Sequence, residues 1–193
     1  AAVCIRARDE GTVNVAFQMP LYPMLDDRDT ESSRDNHGKV WNTRRNHLAW
    51  KLYLRGTDRV SPYAAPARAE DLADLPPAYS FVGDGEPFYA ETVRYFARLR
   101  AAGVPAELDV YHTDMHAFDM MAPDTPLSRQ AAETFAGLLF DRTHGTVKAE
   151  CVSLRDLEGD YESPVDALRA GDADTLRKLL REGREKKATA GGN

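Results

Sequence analysis

The feature that most constrains this sequence is a strand, a helix and a second strand, joined by short loops, between positions 78 and 112. The first strand, "AYSFVG" (78–83), is mostly apolar, which is typical of a parallel strand covered on both faces. Pro87 suits the first position of the following helix and Gly103 its C-terminal cap. The second strand, "AELDVYH" (106–112), alternates apolar and polar residues, which fits a strand near a sheet edge. This order predicts an α/β fold in which helices cover a parallel sheet.

The segments before this unit predict further parts of the same domain. "AAVCIRARDEG" (1–11) is typical of the last turns of a helix, with Gly11 as a left-handed cap. Because no capping signal precedes it, we expect that the chain begins within an element and that sequence upstream of Ala1 is missing. "VNVAFQMPLYP" (13–23) predicts another strand buried on both faces, whereas the polar, aperiodic residues 24–38 predict a loop.

Two helices and an irregular connection are predicted on either side of the strand–helix–strand unit. Residues 41–56 predict a helix that ends at Gly56 and buries a broad face. That face consists of Trp41, Leu48, Trp50, Leu52 and Leu54. Residues 61–77, rich in Pro and Ala, predict an irregular connection with one helical turn. Residues 127–143 predict a further amphipathic helix. In the helix after Pro87, one row of side chains is predicted to be buried. The members of this row are Phe88, Thr92, Phe96 and Leu99.

Length, charge and cysteine content bound the class of protein. A chain of 193 residues can form one domain with a sizeable core, or one domain plus an appendage. The formal net charge of −6 argues against a nucleic-acid partner, because such proteins usually carry a basic face. No apolar run is long enough to cross a bilayer. Cys4 and Cys151 form neither a disulfide framework nor a metal-ligand spacing, so we expect free thiols in a reducing, cytoplasmic compartment.

The character of the sequence changes after His144, so we expect a domain over 1–143 and a small helical tail over 144–193. A short strand is expected at 147–153, and a pair of short helices follows it, with Ser163 as the cap of the first. The spacing of Gly and Leu in this pair also resembles one ankyrin unit, although a single copy buries no core. The other interpretation is a simple amphipathic helical tail.

Two ionisable residues follow the two strands of the strand–helix–strand unit. Glu86 comes after the first strand, in "FVGDGEPF", and His116 comes after the second, in "YHTDMHAF". Because the intervening helix runs back along the sheet, both loops leave the sheet at the same edge. A carboxylate at that edge can hold one imidazole nitrogen while the other nitrogen acts as a base. Glu86 and His116 are therefore the predicted catalytic pair; Asp84 is the alternative acid, although a turn role suits it better.

The stretch "HTDMH" allows a different interpretation, as a metal site. His112, Asp114 and His116 occupy alternate positions, which share a face on an extended strand. Three such ligands could hold a metal ion. Since no second stretch offers a matching ligand spacing, the acid–base interpretation is preferred, and we expect neither a metal nor a cofactor.

Six phrases carry a resemblance to a known family. In chain order they are "FQMPLYPMLDDR", "VWN…AWKLYL", "SPYAAPARA.DL..LPPAY", "VGDGEPF", "ARLRAAGVPAEL.VY" and "HAFD". Their order and spacing resemble the C-terminal half of α/β-hydrolases of the hormone-sensitive-lipase-like esterase family, over residues 1–143. The resemblance implies the C-terminal part of an α/β-hydrolase fold, a small-molecule ester with a short acyl chain as substrate, and no cofactor.

The resemblance also implies roles for individual residues. The family's catalytic acid, usually Asp before Pro, matches Glu86, and its catalytic histidine, in His-Gly-Phe, matches His116. Glu in place of Asp keeps the carboxylate and adds one methylene. Ala117 stands where the family has Gly, and Ala90 followed by Glu91 stands where it often has a second Asp.

The family's nucleophile has no counterpart in this sequence. The class needs a G-x-S-x-G elbow for its serine and an upstream His-Gly-Gly-type oxyanion loop. None of the serines is flanked by glycines at that spacing; they are Ser32, Ser33, Ser61, Ser80, Ser128, Ser153 and Ser163. In the family, residues 1–11 would directly follow the elbow, so the serine is expected roughly ten residues or fewer before Ala1.

We therefore expect one half of a serine carboxylic-ester hydrolase, in which this chain supplies the acid and the base and is inactive alone. Members of the family often dimerise through the last strand and its neighbouring helix, which implies a homodimer for the intact protein. The alternative is a hydrolase-derived half-domain without a nucleophile that works by binding a partner. The tail after His144 favours this alternative, because an uncovered strand face could pair with another chain.

Overall fold

A computed structural model describes residues 1–144 of the chain. The tail predicted over 144–193, with its strand at 147–153 and its helix pair, lies outside the described residues and stays a prediction. The chain divides into two compact units, residues 1–132 and residues from 133 onward. All the elements that position the candidate site belong to the first unit.

The described residues contain five α-helices, one 3₁₀-helix and two strands. In chain order they are α1 (Ala2–Glu10), α2 (Thr43–Tyr53), the 3₁₀-helix (Pro66–Arg68), β1 (Ala78–Gly83), α3 (Tyr89–Ala101), β2 (Ala106–Tyr111), α4 (Phe118–Met121) and α5 (Pro126–His144). Because β1 and β2 pair in parallel across α3, from Ala78 opposite Ala106 to Gly83 opposite Tyr111, the predicted α/β class is confirmed. The helical turn predicted within 61–77 is the 3₁₀-helix, and α5 agrees with the helix predicted at 127–143.

The predicted strand at 13–23 is wrong as a regular strand. Only Gln18 forms a bridge with β1, opposite Ala78, and Val13 is 63% exposed rather than buried. The segment still lies along β1, since the Tyr22 amide donates to the Phe81 carbonyl at 2.8 Å. Its two prolines, at positions 20 and 23, have no N–H to donate to a ladder. They explain why the apolar pattern does not become a continuous strand.

The broad buried face predicted for α2 is also wrong. Trp50 is buried, but Leu48 and Leu52 are 54% and 61% exposed. Side chains two positions apart in a helix point to different sides, so Trp50 cannot share a face with either leucine. The helix is capped by Asn42, whose side chain accepts the Arg45 amide at 3.1 Å, and it ends at Tyr53, before the end predicted at Gly56.

Helix α3 begins at Tyr89, two residues after the predicted first position at Pro87, and otherwise agrees closely with the prediction. The row predicted for burial is buried throughout. Its end has the bonding pattern of a Schellman motif: the Gly103 amide donates to the Arg100 carbonyl and the Val104 amide to the Leu99 carbonyl, both at 3.0 Å. Gly103 has φ +81°, a left-handed conformation that glycine adopts at little cost. This stop turns the chain back so that β2 runs parallel to β1.

The hydrophobic core joins the start of the chain to α3 and the strands. Its buried members are Cys4, Ile5, Leu25, Ala69, Leu72, Leu75, Ala78, Tyr95, Phe96, Leu99 and Val104. Helix α1 contributes Cys4 and Ile5 and ends at Gly11, whose φ of +63° confirms the predicted left-handed cap. No helix among the described residues combines the length and the apolarity that crossing a membrane requires.

Candidate active site

The turn after β1 and the loop after β2 bring Glu86 and His116 together. His116 Nδ1 lies 2.6 Å from Glu86 Oε2. Because a carboxylate only accepts hydrogen bonds, Nδ1 carries the proton and donates it, which leaves Nε2 as the acceptor nitrogen of a neutral ring. Nε2 makes no hydrogen bond to any residue in the described part of the chain. The two residues predicted from the strand ends are therefore paired in the geometry that a histidine base requires.

The acid turn, residues 83–86, binds the Glu86 carboxylate through the oxygen that does not face His116. The Gly83 amide donates to Glu86 Oε1 at 2.8 Å, so each carboxylate oxygen has one hydrogen-bond donor. Glu86 is fully buried. A buried carboxylate costs free energy unless it is bonded in this way. Both donors also fix its direction, so the side chain cannot swing away from the imidazole.

Three aromatic rings surround the His116 imidazole. Tyr22 and Phe88 meet it edge-on, with ring centroids 4.8 Å and 5.1 Å away, and Trp41 lies tilted at 5.7 Å. The His116 side chain retains 18% of its exposure. The rings limit the imidazole to one orientation while leaving it an opening to the outside. Trp41 therefore contacts the candidate base, and the prediction that it belongs to a buried face of α2 missed this role.

Ala117, directly after His116, has a left-handed backbone with φ +57°. It is the residue that replaces the family's glycine, and it stands at the N-terminal end of α4. For a residue with a Cβ this conformation costs about 1–2 kcal/mol. The strain lies in the loop that carries the candidate base.

Replacing Ala117 by Gly should therefore stabilise the protein by about 0.5–1 kcal/mol, the relieved strain less the entropy that glycine gains in the unfolded chain. Urea denaturation of the full-length protein measures this difference. Ala97→Gly is the matched control, because Ala97 is exposed within α3 and should lose about 1 kcal/mol. A loss of stability in both variants would contradict the assigned strain.

Asp84, the alternative acid, does not contact His116. Its carboxylate accepts the Thr113 amide at 3.1 Å and pairs with His112 Nδ1 at 2.7 Å. The His112 side chain is 98% exposed. The hydrogen bond to His112 holds the pKa of the Asp84 carboxyl below its usual range. Asp84 therefore ties the acid turn to the next loop, as a turn residue does.

The metal interpretation of "HTDMH" finds no support among residues 1–144. His112 and His116 each pair with a different carboxylate, on Asp84 and Glu86. No group of three or more His, Cys, Asp or Glu side chains that could hold a metal ion occurs in the described part of the chain.

Sequence reasoning missed the loop at 24–38 as a support of the acid turn. Ser32 Oγ donates to the Pro87 carbonyl at 2.7 Å and accepts the Ala90 amide at 3.0 Å. Helix α3 has no side-chain cap of its own, so Ser32 satisfies one of its free amides from elsewhere in the chain. Asn36 Nδ2 donates to the Gly85 carbonyl at 3.0 Å. No local signal reveals these contacts, because the partners are 49 to 58 positions apart.

Glu91, in α3, forms hydrogen bonds with the start of the same loop. Its Oε1 accepts the Leu25 amide at 2.5 Å and the Asp26 amide at 3.2 Å. Burial raises the pKa of the Glu91 carboxyl to about 8. The residue that follows Ala90 in place of the family's second Asp is thus a buried anchor for the loop.

A carboxylate-held histidine at the carboxyl edge of a parallel α/β unit is the arrangement of α/β-hydrolases. Comparison with known proteins agrees: the chain belongs to the family Abhydrolase_3, described as an alpha/beta hydrolase fold, which matches residues 1–120. The resemblance predicted from the six phrases is thereby confirmed.

Individual relatives are esterases. Over 135 residues the chain is 35% identical to Esterase LipI of Mycobacterium tuberculosis, covering 68% of this chain and 42% of that protein. The crystal structure of esterase LipW from Mycobacterium marinum superposes with a TM-score of 0.70 at 30% identity, over 74% of this chain and 46% of that one. A bacterial heroin esterase gives a TM-score of 0.64 at 36% identity, over 67% and 43%. The chain thus spans less than half the length of these relatives.

Proposed function

We propose that the protein to which this chain belongs is a serine carboxylic-ester hydrolase acting on short-chain acyl esters. The observation that carries the proposal is the 2.6 Å contact between His116 Nδ1 and the buried Glu86 carboxylate. It leaves Nε2 free to take a proton, as general bases of this class do. The esterase relatives add support at the level of the family.

In the proposed reaction, a serine outside residues 1–193 attacks the ester carbonyl. His116 Nε2 accepts the serine proton and returns it to the leaving alcohol, and a water molecule then hydrolyses the acyl-enzyme with the same base. Glu86 keeps the imidazole in the required tautomer and stabilises the imidazolium that forms. No step requires a metal or a cofactor.

The test is hydrolysis of p-nitrophenyl acetate, butyrate and octanoate by the full-length protein and its His116→Ala variant. We expect turnover of the shorter esters and a loss of roughly 10⁴-fold or more in kcat on removing the base. His47→Ala is the matched control, because His47 also pairs with a carboxylate, Asp29 at 2.7 Å, but on the surface. It should retain full activity.

A fluorophosphonate probe distinguishes a protein without an activated serine from an active enzyme that was given unsuitable esters. Such probes react with an activated serine, so the wild type should be labelled and His116→Ala should not. A full-length protein that hydrolyses no ester and takes no label would overturn the proposal in favour of a nucleophile-less binding module. The 193-residue chain alone is expected to be inactive. The homodimer and the cytoplasmic location stay predictions.

A further inference from the structure

We propose that Asn36 is a positioning residue for the candidate catalytic pair, because it holds two neighbouring segments at once. One end of its side-chain amide holds the acid turn, and the other end holds the turn that carries Trp41, residues 36–43. The kinetic part of this inference rests on the proposed function, whereas the hydrogen bonds of Asn36 do not. No step of the proposed reaction uses Asn36.

Both ends of the Asn36 side-chain amide bond to backbone groups whose hydrogen-bonding role is fixed. Nδ2 donates to the Gly85 carbonyl at 3.0 Å, and Oδ1 accepts the Gly38 amide at 2.9 Å. A carbonyl oxygen can only accept and a backbone N–H can only donate, so the side-chain amide has one possible orientation. An ionised aspartate could make only the bond to Gly38, and an apolar side chain could make neither.

The bond to Gly85 fixes the peptide unit from which the candidate acid extends. The Gly85 carbonyl and the Glu86 amide belong to one planar unit, and the Glu86 amide donates to the Gly83 carbonyl at 3.2 Å. The unit is therefore bonded at both ends, by Asn36 at the carbonyl and by the acid turn itself at the amide. Because Glu86 Oε2 lies 2.6 Å from His116 Nδ1, a rotation of this unit would lengthen or break that contact.

The bond to Gly38 fixes the turn that carries Trp41. An Asn side chain that accepts the amide two residues further on closes a local turn. The Asn36 backbone closes the same turn at its far end, since its amide donates to Thr43 Oγ1 at 2.7 Å and its carbonyl accepts the Thr43 amide at 3.1 Å. A Cβ added at Gly38 would overlap the Trp41 carbonyl oxygen, so the turn is tightly folded. Asn36 thereby sets the position of the Trp41 ring, whose centroid lies 5.7 Å from that of His116.

Asn36→Asp separates the two roles of the side chain. It keeps the acceptor for Gly38 but places a carboxylate oxygen against the Gly85 carbonyl oxygen, so the peptide unit before Glu86 must turn away. At about pH 8, where an Asp carboxyl is ionised, we expect kcat for p-nitrophenyl acetate in the full-length protein to fall roughly tenfold. KM should change little, because the acid is displaced while the contacts to substrate are kept. Asn36→Ala, which removes both bonds, should also lower kcat.

Two NMR signals of the full-length protein report the two bonds without turnover. Labelling with carbonyl-¹³C glycine and ¹⁵N glutamate selects the Gly85–Glu86 peptide, whose signal is assigned by its loss in Glu86→Gln. Labelling with 5-fluorotryptophan reports on Trp41, whose signal is assigned by its loss in Trp41→Phe. Asn36→Asp should move the peptide signal and leave the Trp41 signal in place, whereas Asn36→Ala should move both.

The matched control is Asn42→Asp, which introduces the same charge into the same turn. Asn42 Nδ2 donates to the Gly38 carbonyl at 3.1 Å, and its Oδ1 accepts the Arg45 amide at 3.1 Å, a bond that aspartate keeps. Both bonds lie outside the acid turn, so kcat should stay within about threefold of the wild type and the Gly85–Glu86 signal should stay in place.

Equal losses of kcat in Asn36→Asp and Asn42→Asp, with circular dichroism showing that both are folded, would overturn the inference. A Gly85–Glu86 signal that neither Asn36→Asp nor Asn36→Ala moves would also overturn it. Since the two NMR signals need no turnover, the expected shifts in a protein that hydrolyses no ester would refute the proposed function while leaving the positioning role of Asn36 intact.

Discussion

Replacing Glu86 by Gln in the full-length protein is expected to lower kcat for p-nitrophenyl ester hydrolysis by about 10⁴-fold, with little change in stability. In the wild type, Glu86 Oε1 accepts the Gly83 amide and Oε2 accepts from His116 Nδ1, at 2.8 Å and 2.6 Å. Glutamine offers one acceptor and one donor. Its carbonyl oxygen can keep the bond from Gly83, so its NH₂ group faces Nδ1.

The expected loss follows from the tautomer that this NH₂ group imposes. Nδ1 must then accept a hydrogen bond, so the proton of the neutral imidazole resides on Nε2. A protonated Nε2 cannot take the proton of the nucleophile, although every atom of the site is still present. KM should change little, since the side chains that contact substrate are unaltered.

The acid turn itself offers the matched control for Glu86→Gln. Asp84→Asn alters a second carboxylate that also pairs with a histidine, His112 at 2.7 Å, but at the surface. It should keep kcat within about threefold, because exposed pairs of this kind contribute little. Comparable losses in Asp84→Asn and Glu86→Gln would contradict the choice of Glu86 as the acid. Glu86→Asp, which restores the charge on a shorter side chain, should recover part of the activity lost in Glu86→Gln.

The pairing of Glu86 and His116 could be predicted from the sequence because it depends on topology. Once two parallel strands and their crossover helix are recognised, the residues after the strands must meet at one edge. The end of α3 at Gly103 was equally predictable, since left-handed caps have a local signature. These features depend on residues a few positions apart, or on a rule that holds for all parallel sheets.

The features that sequence reasoning missed depend on distant contacts. Nothing near Ser32 indicates that it caps α3, and nothing near Tyr22 indicates that its ring contacts His116. The apolar pattern around Tyr22 predicted a strand, but prolines interrupt the ladder and only Gln18 bridges to β1. In α2 the periodicity of apolar residues predicted burial, yet Leu48 is exposed. Periodicity identifies a helix, whereas the faces that are covered depend on what packs against it.

The second large effect is expected at Gly83, the residue that donates to the candidate acid. A Cβ added there would lie 2.4 Å from the Thr113 carbonyl oxygen and 3.1 Å from Glu86 Cγ. The first of these atoms belongs to the backbone and cannot move without displacing the loop that leads to His116. Gly83→Ala should therefore destabilise the protein by about 3 kcal/mol, the upper part of the range for overpacked interiors. Urea denaturation of the full-length protein measures it.

A loss of activity should accompany the loss of stability in Gly83→Ala, because the same displacement separates the acid turn from the loop that carries the base. Under conditions where the variant is folded, kcat should still fall by at least tenfold, since small displacements of catalytic groups are costly. Gly137→Ala is the matched control: within the described part of the chain, a Cβ at this position in α5 meets no atom within 4 Å, and alanine should stabilise the helix by about 0.5–1 kcal/mol. If Gly83→Ala were as stable and active as the wild type, the close approach of the acid turn to Thr113 would be wrong.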